Sequence, residues 1–317
     1  MKAAVIRQYG APDVVRVEEV PAPAVGANDV LVRVSAVAVT AADSRIRGAR
    51  FPRGFAPFAR LAFGVRRPRR AVLGGSFSGV VDAVGSEVTA FSPGQAVCGT
   101  TGMRFGAHAE LVTVPASRLV ALPAGVGHDD AAGVIFGGLT ALHFLRDTVT
   151  VRPGDTVLVN GASGAIGTNA VQLAKNAGAT VTAVTSTANL DLARRLGADR
   201  VVDYTVTPTL TLTDRFDIVL DAVGNISPRR GVTLLSERGT LMLAVADLSE
   251  TLSLRRRVKS GSGAERAVDV EHLVELLATG RLESVIDSAY PLTQAVRAHE
   301  RVDSGRKVGN VILNPGD

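Results

Sequence analysis

The chain has one cysteine, no tryptophan and only 4% aromatic residues. A single thiol, Cys98, excludes an internal disulfide and any four-cysteine metal lobe, and it fits a reducing compartment. Five histidines (108, 128, 143, 272 and 299) are scattered with no two at ligand spacing, so no metal site is expected. Long hydrophobic runs are also missing. The most apolar stretch, residues 131–145, is too short to span a bilayer and carries His143. Residues 1–15 lack the charged-then-apolar order of a secretory leader, so the expectation is a cytoplasmic protein with no membrane partner.

Acid is missing from one place. Residues 44–73 hold nine arginines (45, 47, 50, 53, 60, 66, 67, 69 and 70) and four phenylalanines (51, 55, 58 and 63), with no Asp or Glu. Elsewhere the signs mix, apart from Arg255-Arg256-Arg257 with Lys259, so the net charge of +5 is a local excess.

What is present points to α/β architecture. A length of 317 residues allows one large or two ordinary domains, and 46% hydrophobic content with 33 glycines suits tight strand–helix turns. The organising stretch is residues 155–203. Thr156 to Asn160 is a short apolar run that reads as a buried parallel strand. Residues 161–167 form a glycine-punctuated turn, residues 168–178 have helical spacing and end on Gly178, and Thr180 to Thr185 is a second strand. The turn matches G-x-G-x-x-G with Ala162 in the first glycine place. Ala162, Ser163, Gly164, Ala165, Ile166 and Gly167 are therefore the expected dinucleotide cradle.

Residues before this stretch read as short strands: a hairpin of Lys2 to Ile6 and Val14 to Glu19, then Asp29 to Val39, Phe77 to Val84, Ala96 to Gly99 and Ala107 to Val114. Asp43 to Ile46 starts a short helix, and the arginine-rich segment reads as a long loop. The first domain, residues 1–122, is expected to be a β-rich barrel. Residues 123–249 are expected to form a doubly wound parallel sheet. It opens with a helix from His128 to Val149 interrupted at Gly137-Gly138. Further strands follow at 200–202, 216–221 and 240–245, with helices at 190–196 and 229–235. The sheet should be complete near residue 246. Residues 250–317, with a helix from Val268 to Ala278, a strand at 285–287, a helix from Leu292 to Ser304 and a strand from Asn310 to Leu313, should return to the first domain.

Segments along almost the whole chain are similar to the zinc-free quinone oxidoreductases of the medium-chain dehydrogenase/reductase superfamily, the relatives of zeta-crystallin. They include Met1-Lys2-Ala3, Ser78-Gly79-Val80-Val81, Phe105-Gly106-Ala107, Gly137-Gly138-Leu139-Thr140-Ala141, the Asn160 to Gly167 turn, Leu196-Gly197-Ala198-Asp199, Asp221-Ala222-Val223-Gly224 and Gly309-Asn310-Val311. The resemblance implies a GroES-like catalytic domain followed by a Rossmann domain, and a homodimer paired through sheet edges. Zinc-dependent members have a cysteine and a histidine where this chain has Thr40 and Gly75.

The second strand ends Val184-Thr185-Ser186-Thr187 with no acid until Asp191, which leaves room for a ribose 2′-phosphate. Ser186, Thr187 and, by resemblance, Tyr204 point to NADPH, with Arg194 the nearest candidate cation. Ser186 and Thr187 could equally cap the helix that starts at Asn189. The resemblance places Thr40, Thr140, Val223, Gly224, Leu243, Val245 and Asn310 near the nicotinamide, with Thr40 the expected catalytic residue. It places Arg45, Phe51 and Ser76 against substrate, at positions where the family pattern changes. Hydride delivery to a quinone or an α,β-unsaturated carbonyl is the expected chemistry, with the proton coming from solvent. An enoyl-thioester reductase and a non-catalytic NADPH-binding protein remain open. So do two readings of the arginine-rich segment: a solvated loop, or a cationic funnel for an anionic acyl thioester. A nucleic-acid partner is not expected, because no recognition module accompanies the arginines.

Overall fold

The computed structural model describes residues 1–252 and 256–316, so Arg255 of the second basic run lies outside the described residues. Two sheets organise the chain. The N-terminal hairpin, β1 (Lys2–Ile6) with β2 (Val15–Glu19), is antiparallel. The long strand β3 (Asp29–Val39) alternates Val, Leu and Ala against polar positions and becomes the centre of the first sheet. It is followed by α1 (Ala41–Gly48) and α2 (Ala56–Phe63), then β4 (Ser76–Val84), β5 (Ala96–Thr100), β6 (Leu111–Pro115) and β7 (Leu119–Ala121). The arginine-rich segment is therefore not all loop. Phe51 and Phe63 stack at 5.9 Å with their rings 9° from parallel, and that contact anchors an eight-residue helix.

Helix α3 (His128–Leu142) runs straight through Gly137-Gly138, and a π-helical turn, His143–Thr148, ends it. The expected interruption is absent because the glycines serve packing. A Cβ on Gly137 would stand 2.0 Å from the Ala165 carbonyl oxygen. Next come β8 (Thr156–Asn160), α4 (Ala165–Asn176), β9 (Thr180–Thr185), α5 (Leu190–Arg195), β10 (Arg200–Asp203), β11 (Phe216–Asp221), α6 (Pro228–Gly231), β12 (Leu235–Leu243), α7 (Leu248–Thr251) and β13 (Val258–Ser260). Helix α4 begins three residues earlier than its spacing suggested, inside the glycine turn. The helix expected over 229–235 is one α-helical turn that tightens to a 3-10 turn over Val232–Leu234 and stops there, because Leu235 already belongs to β12.

The second sheet has the order β10-β9-β8-β11-β12-β13 and every pair is parallel. Strand β13 corrects the expectation of a sheet complete near residue 246. Helix α8 (Ala267–Ala278) also stays with this half, packing Val270, Leu273 and Val274 into its core. The return to the first sheet begins only at β14 (Ile286–Pro291), later than residue 250, and continues through α9 (Ala295–Asp303) and β15 (Asn310–Asn314). That sheet reads β14-β15-β3-β4-β5-β7, with β6 paired to β3. Strand β15 meets β3 antiparallel, Val311 opposite Val39, which brings the chain's end to the head of α1.

Candidate active site

Strand order reverses between β8 and β11, whose last residues, Asn160 and Asp221, are register partners. A doubly wound sheet binds its ligand outside the carboxyl ends of the strands at such a reversal. A cleft of about 750 Å³ opens there, between the two sheets. Its floor is the turn 161–167. Gly161, at φ +83°, makes the sharp exit from β8. Gly167 lets α4 lie against that exit, since a Cβ there would be 2.1 Å from the Gly161 carbonyl oxygen. Gly161 thus takes the part that the sequence pattern assigned to Ala162, which is 1% exposed and does not reach the cleft.

Helix α4 starts at Ala165 with Gly164 as N-cap and has no acid in its first turn. The N–H groups of Ala165, Ile166 and Gly167 have no acceptor within the helix, and the helix dipole adds positive potential at the same point. Ser163 Oγ accepts from Thr185 Oγ1 at 2.9 Å and from Asn189 Nδ2 at 3.3 Å, so its own proton is free to donate outward. The main chain of the last strand's approach closes this corner: Gly309 N–H donates to the Ser163 carbonyl at 2.8 Å, and Gly309 bridges Gly164. Two residues earlier, Lys307 lines the cleft with its ammonium donating to the Gly309 carbonyl at 2.5 Å. Burial pushes the Lys307 ammonium down to about 8, with Asp287 opposing the shift and Arg301 adding to it. Every feature of this corner suits a pyrophosphate.

The opposite wall is organised by a carboxylate that sequence reasoning passed over. Asp221, fully buried, accepts from the N–H groups of Val223, Gly224 and Ile226 and from Asn160 Nδ2. It holds the 221–226 turn so that Val223 projects into the cleft, half-exposed. Asn160 Nδ2 also donates to Asn225 Oδ1 at 2.7 Å. Asn160, Asn225, Thr209, Arg230 and Lys307 all line the cleft and were not among the expected site residues. Only a strand-end Asn beside a strand-end Asp hinted at the first of them.

Of the expected site residues, Thr40, Ser163, Gly164, Ala165, Ile166, Gly167, Tyr204, Val223 and Asn310 line the cleft. Thr40 is N-cap of α1, and its hydroxyl is committed. Oγ1 donates to Asp43 Oδ2 at 2.6 Å and accepts from the Asp43 N–H at 3.3 Å, a capping box. It can turn to a substrate oxygen only by giving up Asp43. Asn310 Nδ2 donates to the Val285 carbonyl at 3.1 Å.

The others stand back. Thr140 returns its hydroxyl to the Phe136 carbonyl one helical turn earlier. Leu243 is core, and Val245 packs behind the wall, 3.0 Å from where a Gly224 Cβ would be. Ser186 accepts from the side-chain amide of Asn189 at 3.1 Å and makes no capping bond to the backbone. Thr187 donates to Asp203 Oδ2 at 2.5 Å, and Arg194 is spent on Asp191 at 2.6 Å. Arg45 is half-buried, Phe51 is stacked on Phe63, and Ser76 is buried at the first position of β4 beside Thr100. None of these three is among the residues that line the cleft. Arg45 lies within α1, Phe51 follows it, and Ser76 opens β4.

Residues 26–124 match the alcohol dehydrogenase GroES-like domain, and residues 196–313 match the zinc-binding dehydrogenase family. The quinone oxidoreductase of Pseudomonas aeruginosa is 30% identical over 97% of both chains. This chain belongs to the quinone oxidoreductase family of medium-chain dehydrogenase/reductases. The 2-haloacrylate reductase of a Burkholderia species is 29% identical over 99% of this chain and 98% of its own. Among solved structures, the quinone oxidoreductase of Coxiella burnetii superposes with a TM-score of 0.90 at 26% identity, covering 99% of each chain. The GroES-like and Rossmann-like halves and the oxidoreductase character of the family follow from these likenesses.

Proposed function

We propose that the protein is a cytoplasmic, zinc-independent, NADPH-dependent oxidoreductase that reduces a quinone or an α,β-unsaturated carbonyl. The observation that carries the reading is the convergence at one corner of the cleft. Three free N–H groups of α4, the Ser163 hydroxyl and the Lys307 ammonium all face the same volume. The bound cofactor would supply the hydride. The protein's part is to bind, orient and exclude water: Val39, Phe136, Leu210 and Ile226 give the cleft apolar walls. No Lewis acid is required, because the acceptor's own carbonyl takes up the negative charge. Zinc independence is supported by residue type, since a threonine and a glycine at the two ligand places offer no metal ligand of the usual kind.

The choice of NADPH is supported by the end of β9, where Thr185 and Ser186 stand in place of a carboxylate on that strand, and by Tyr204 lining the cleft beyond it. Asp203 works the other way, because it stands on Thr187 at that edge. A homodimer formed through β13, the outer strand of the parallel sheet, completes the proposal; a monomeric mass in solution would remove that part.

The test is NADPH oxidation against a panel of quinones, enones and enoyl thioesters. Turnover of quinones or enones is the expected result. Turnover confined to thioesters would move the assignment to an enoyl-thioester reductase. Tight NADPH binding with no oxidation by any acceptor would make the chain a cofactor-binding protein and end the proposal.

A further inference from the structure

Of the nine arginines between residues 44 and 73, three are covered or tied to Asp303. Arg47 is fully buried, donating to Asp303 at 2.5 Å and to the Gly10 carbonyl at 2.9 Å; Arg50 reaches the same carboxylate at 2.6 Å, and Arg45 is half-buried. The other six, Arg53, Arg60, Arg66, Arg67, Arg69 and Arg70, are exposed, and none of them makes a salt bridge among the described residues, though Arg53 helps to hold the Asp247 carboxyl down and Arg60 donates to the Val65 carbonyl at 2.7 Å beside the Tyr9 ring. Between them stand Phe58, Leu61 and Val65, exposed by 63%, 66% and 59%. Phe58 and Leu61 are three apart on α2 and so share one face. Phe63 leaves that face to stack inward on Phe51, which anchors the helix with its apolar side chains outward.

The composition of this surface decides what it fits. From residue 53 to residue 70 every side chain is arginine, aliphatic, phenylalanine, proline or glycine. No Ser, Thr, Asn, Gln, Asp, Glu or His is present to make the neutral hydrogen bonds that specific protein interfaces carry. A lipid surface asks for none of these. It offers phosphates to guanidinium groups and hydrocarbon to outward apolar side chains. The patch also continues across the two halves of the molecule. The Leu248 N–H donates to the Arg53 carbonyl at 2.9 Å, which sets α7 beside the segment. Leu252, the residue after α7, is exposed.

We propose that this arginine-and-phenylalanine face docks the protein on an anionic lipid surface. Phe58, Leu61 and Val65 enter the headgroup boundary, and the exposed arginines, Arg66, Arg67, Arg69 and Arg70 foremost, pair with lipid phosphates. The docking does not depend on the substrate assignment. Joined to the proposed activity, it makes a bilayer-dissolved acceptor, such as a long-chain quinone, the matching substrate class. Helix α1 leads from cleft-lining Thr40 into the docked segment.

The test is co-sedimentation of the full chain with phosphatidylcholine vesicles, with and without phosphatidylglycerol. Binding is expected only where phosphatidylglycerol is present, and it should fall steeply as salt shortens the reach of the surface charge. Arg66→Gln with Arg67→Gln should weaken binding by roughly fivefold per arginine. Phe58→Ser with Leu61→Ser should weaken it in a way that low salt does not restore. Both variants should leave NADPH affinity unchanged, since none of these residues lines the cleft. Absence of vesicle binding, equal binding to neutral and anionic vesicles, or full binding by both variants would each overturn the proposal. So would saturable capture of an acidic protein by a chain that ignores vesicles. A failed acceptor panel with intact vesicle binding would refute the activity and leave the docking standing.

Discussion

The turn from Asn160 to Gly167 makes its site out of backbone, whereas the segment from Ser44 to Leu73 makes its surface out of side chains. In the turn, Gly161 supplies a positive φ, Gly167 permits the closest approach, and three peptide N–H groups supply the charge. Each of those needs restricts residue type at a fixed spacing, so it leaves a mark in the sequence. In the arginine-rich segment the same residue type does opposite things. Arg47 is buried and Arg66 and Arg67 are not, and the difference is made by Asp303, 256 positions away from Arg47. Local backbone requirements are legible at a distance of a few residues. A long-range charge pair is not.

The largest effect should come from breaking that long-range pair. In Asp303→Asn the buried Arg47 guanidinium loses its carboxylate, which should cost about 3 kcal/mol or more, measured by urea unfolding. Burial works to raise the Asp303 carboxyl, but hydrogen bonds from Ser44, Arg47 and Arg50 prevail and hold it below the usual carboxylate range. A depressed carboxylate stabilises the fold fully above its unfolded value, about 3.9, and that stability is lost as pH falls through the folded value. The wild type should therefore lose stability more steeply toward acid than the variant does. Parallel acid limbs would mean the pair is not formed.

The comparison can be broken from the other side by giving the backbone-made site a side chain it cannot hold. Gly137→Ala drives a methyl group against the Ala165 carbonyl, 2.0 Å away, at the first residue of α4. Overpacking of this kind costs about 1–3 kcal/mol, and here the strain falls on the N–H groups meant for the cofactor, so affinity should drop with stability. Gly138→Ala meets only Leu273 side-chain atoms at 2.7 Å and should be milder. Equal losses in the two variants would show that the Ala165 contact is not special.

The same glycines show where sequence reasoning stopped. Strands such as Asp29–Val39, Thr180–Thr185 and Phe216–Asp221 were visible to the residue, because alternation or an unbroken apolar run is set by the strand itself. Gly137-Gly138 suggested a break in a helix, since a glycine that serves a neighbouring backbone cannot be told apart from one that ends a helix. Strand β13 was missed because three residues, Val-Lys-Ser, carry no periodicity; only pairing with β12 makes them a strand. In the cleft, the glycine turn was legible. Lys307 and Asn225 were not, because nothing local tells a side chain on a loop which cavity it enters.

Lys307 therefore sharpens the contrast, being a cationic side chain beside a corner made mostly of peptide groups. Lys307→Met should weaken cofactor binding by about 10- to 100-fold, the worth of a charge-assisted hydrogen bond, with kcat little changed. Lys307→Arg should recover most of the affinity. Bound phosphate favours the charged ammonium, so wild-type Kd should rise as pH climbs through about 8, while the Arg variant stays flat. A fall in kcat at unchanged Kd would instead assign Lys307 to proton delivery.

The smallest effect separates the two ends of the cofactor. Asp203 accepts from the Thr187 and Thr205 hydroxyls at 2.5 and 2.7 Å; those bonds, Thr187 first, hold its carboxyl below the ordinary range, so it is charged throughout the neutral region. A carboxylate at the ribose edge repels a 2′-phosphate and leaves a 2′-hydroxyl untouched. Asp203→Asn keeps a side-chain carbonyl for one of the threonine hydroxyls and removes the charge. Affinity for NADPH should then improve by roughly three- to tenfold, with NADH unmoved, the range expected for a screened pair in solvent. The gain should shrink as salt is added. An equal change for both cofactors would mean that Asp203 acts through the shape of the turn rather than its charge. No change for either would place the 2′-phosphate elsewhere, and the preference for NADPH would then rest on Ser186 and Tyr204 alone.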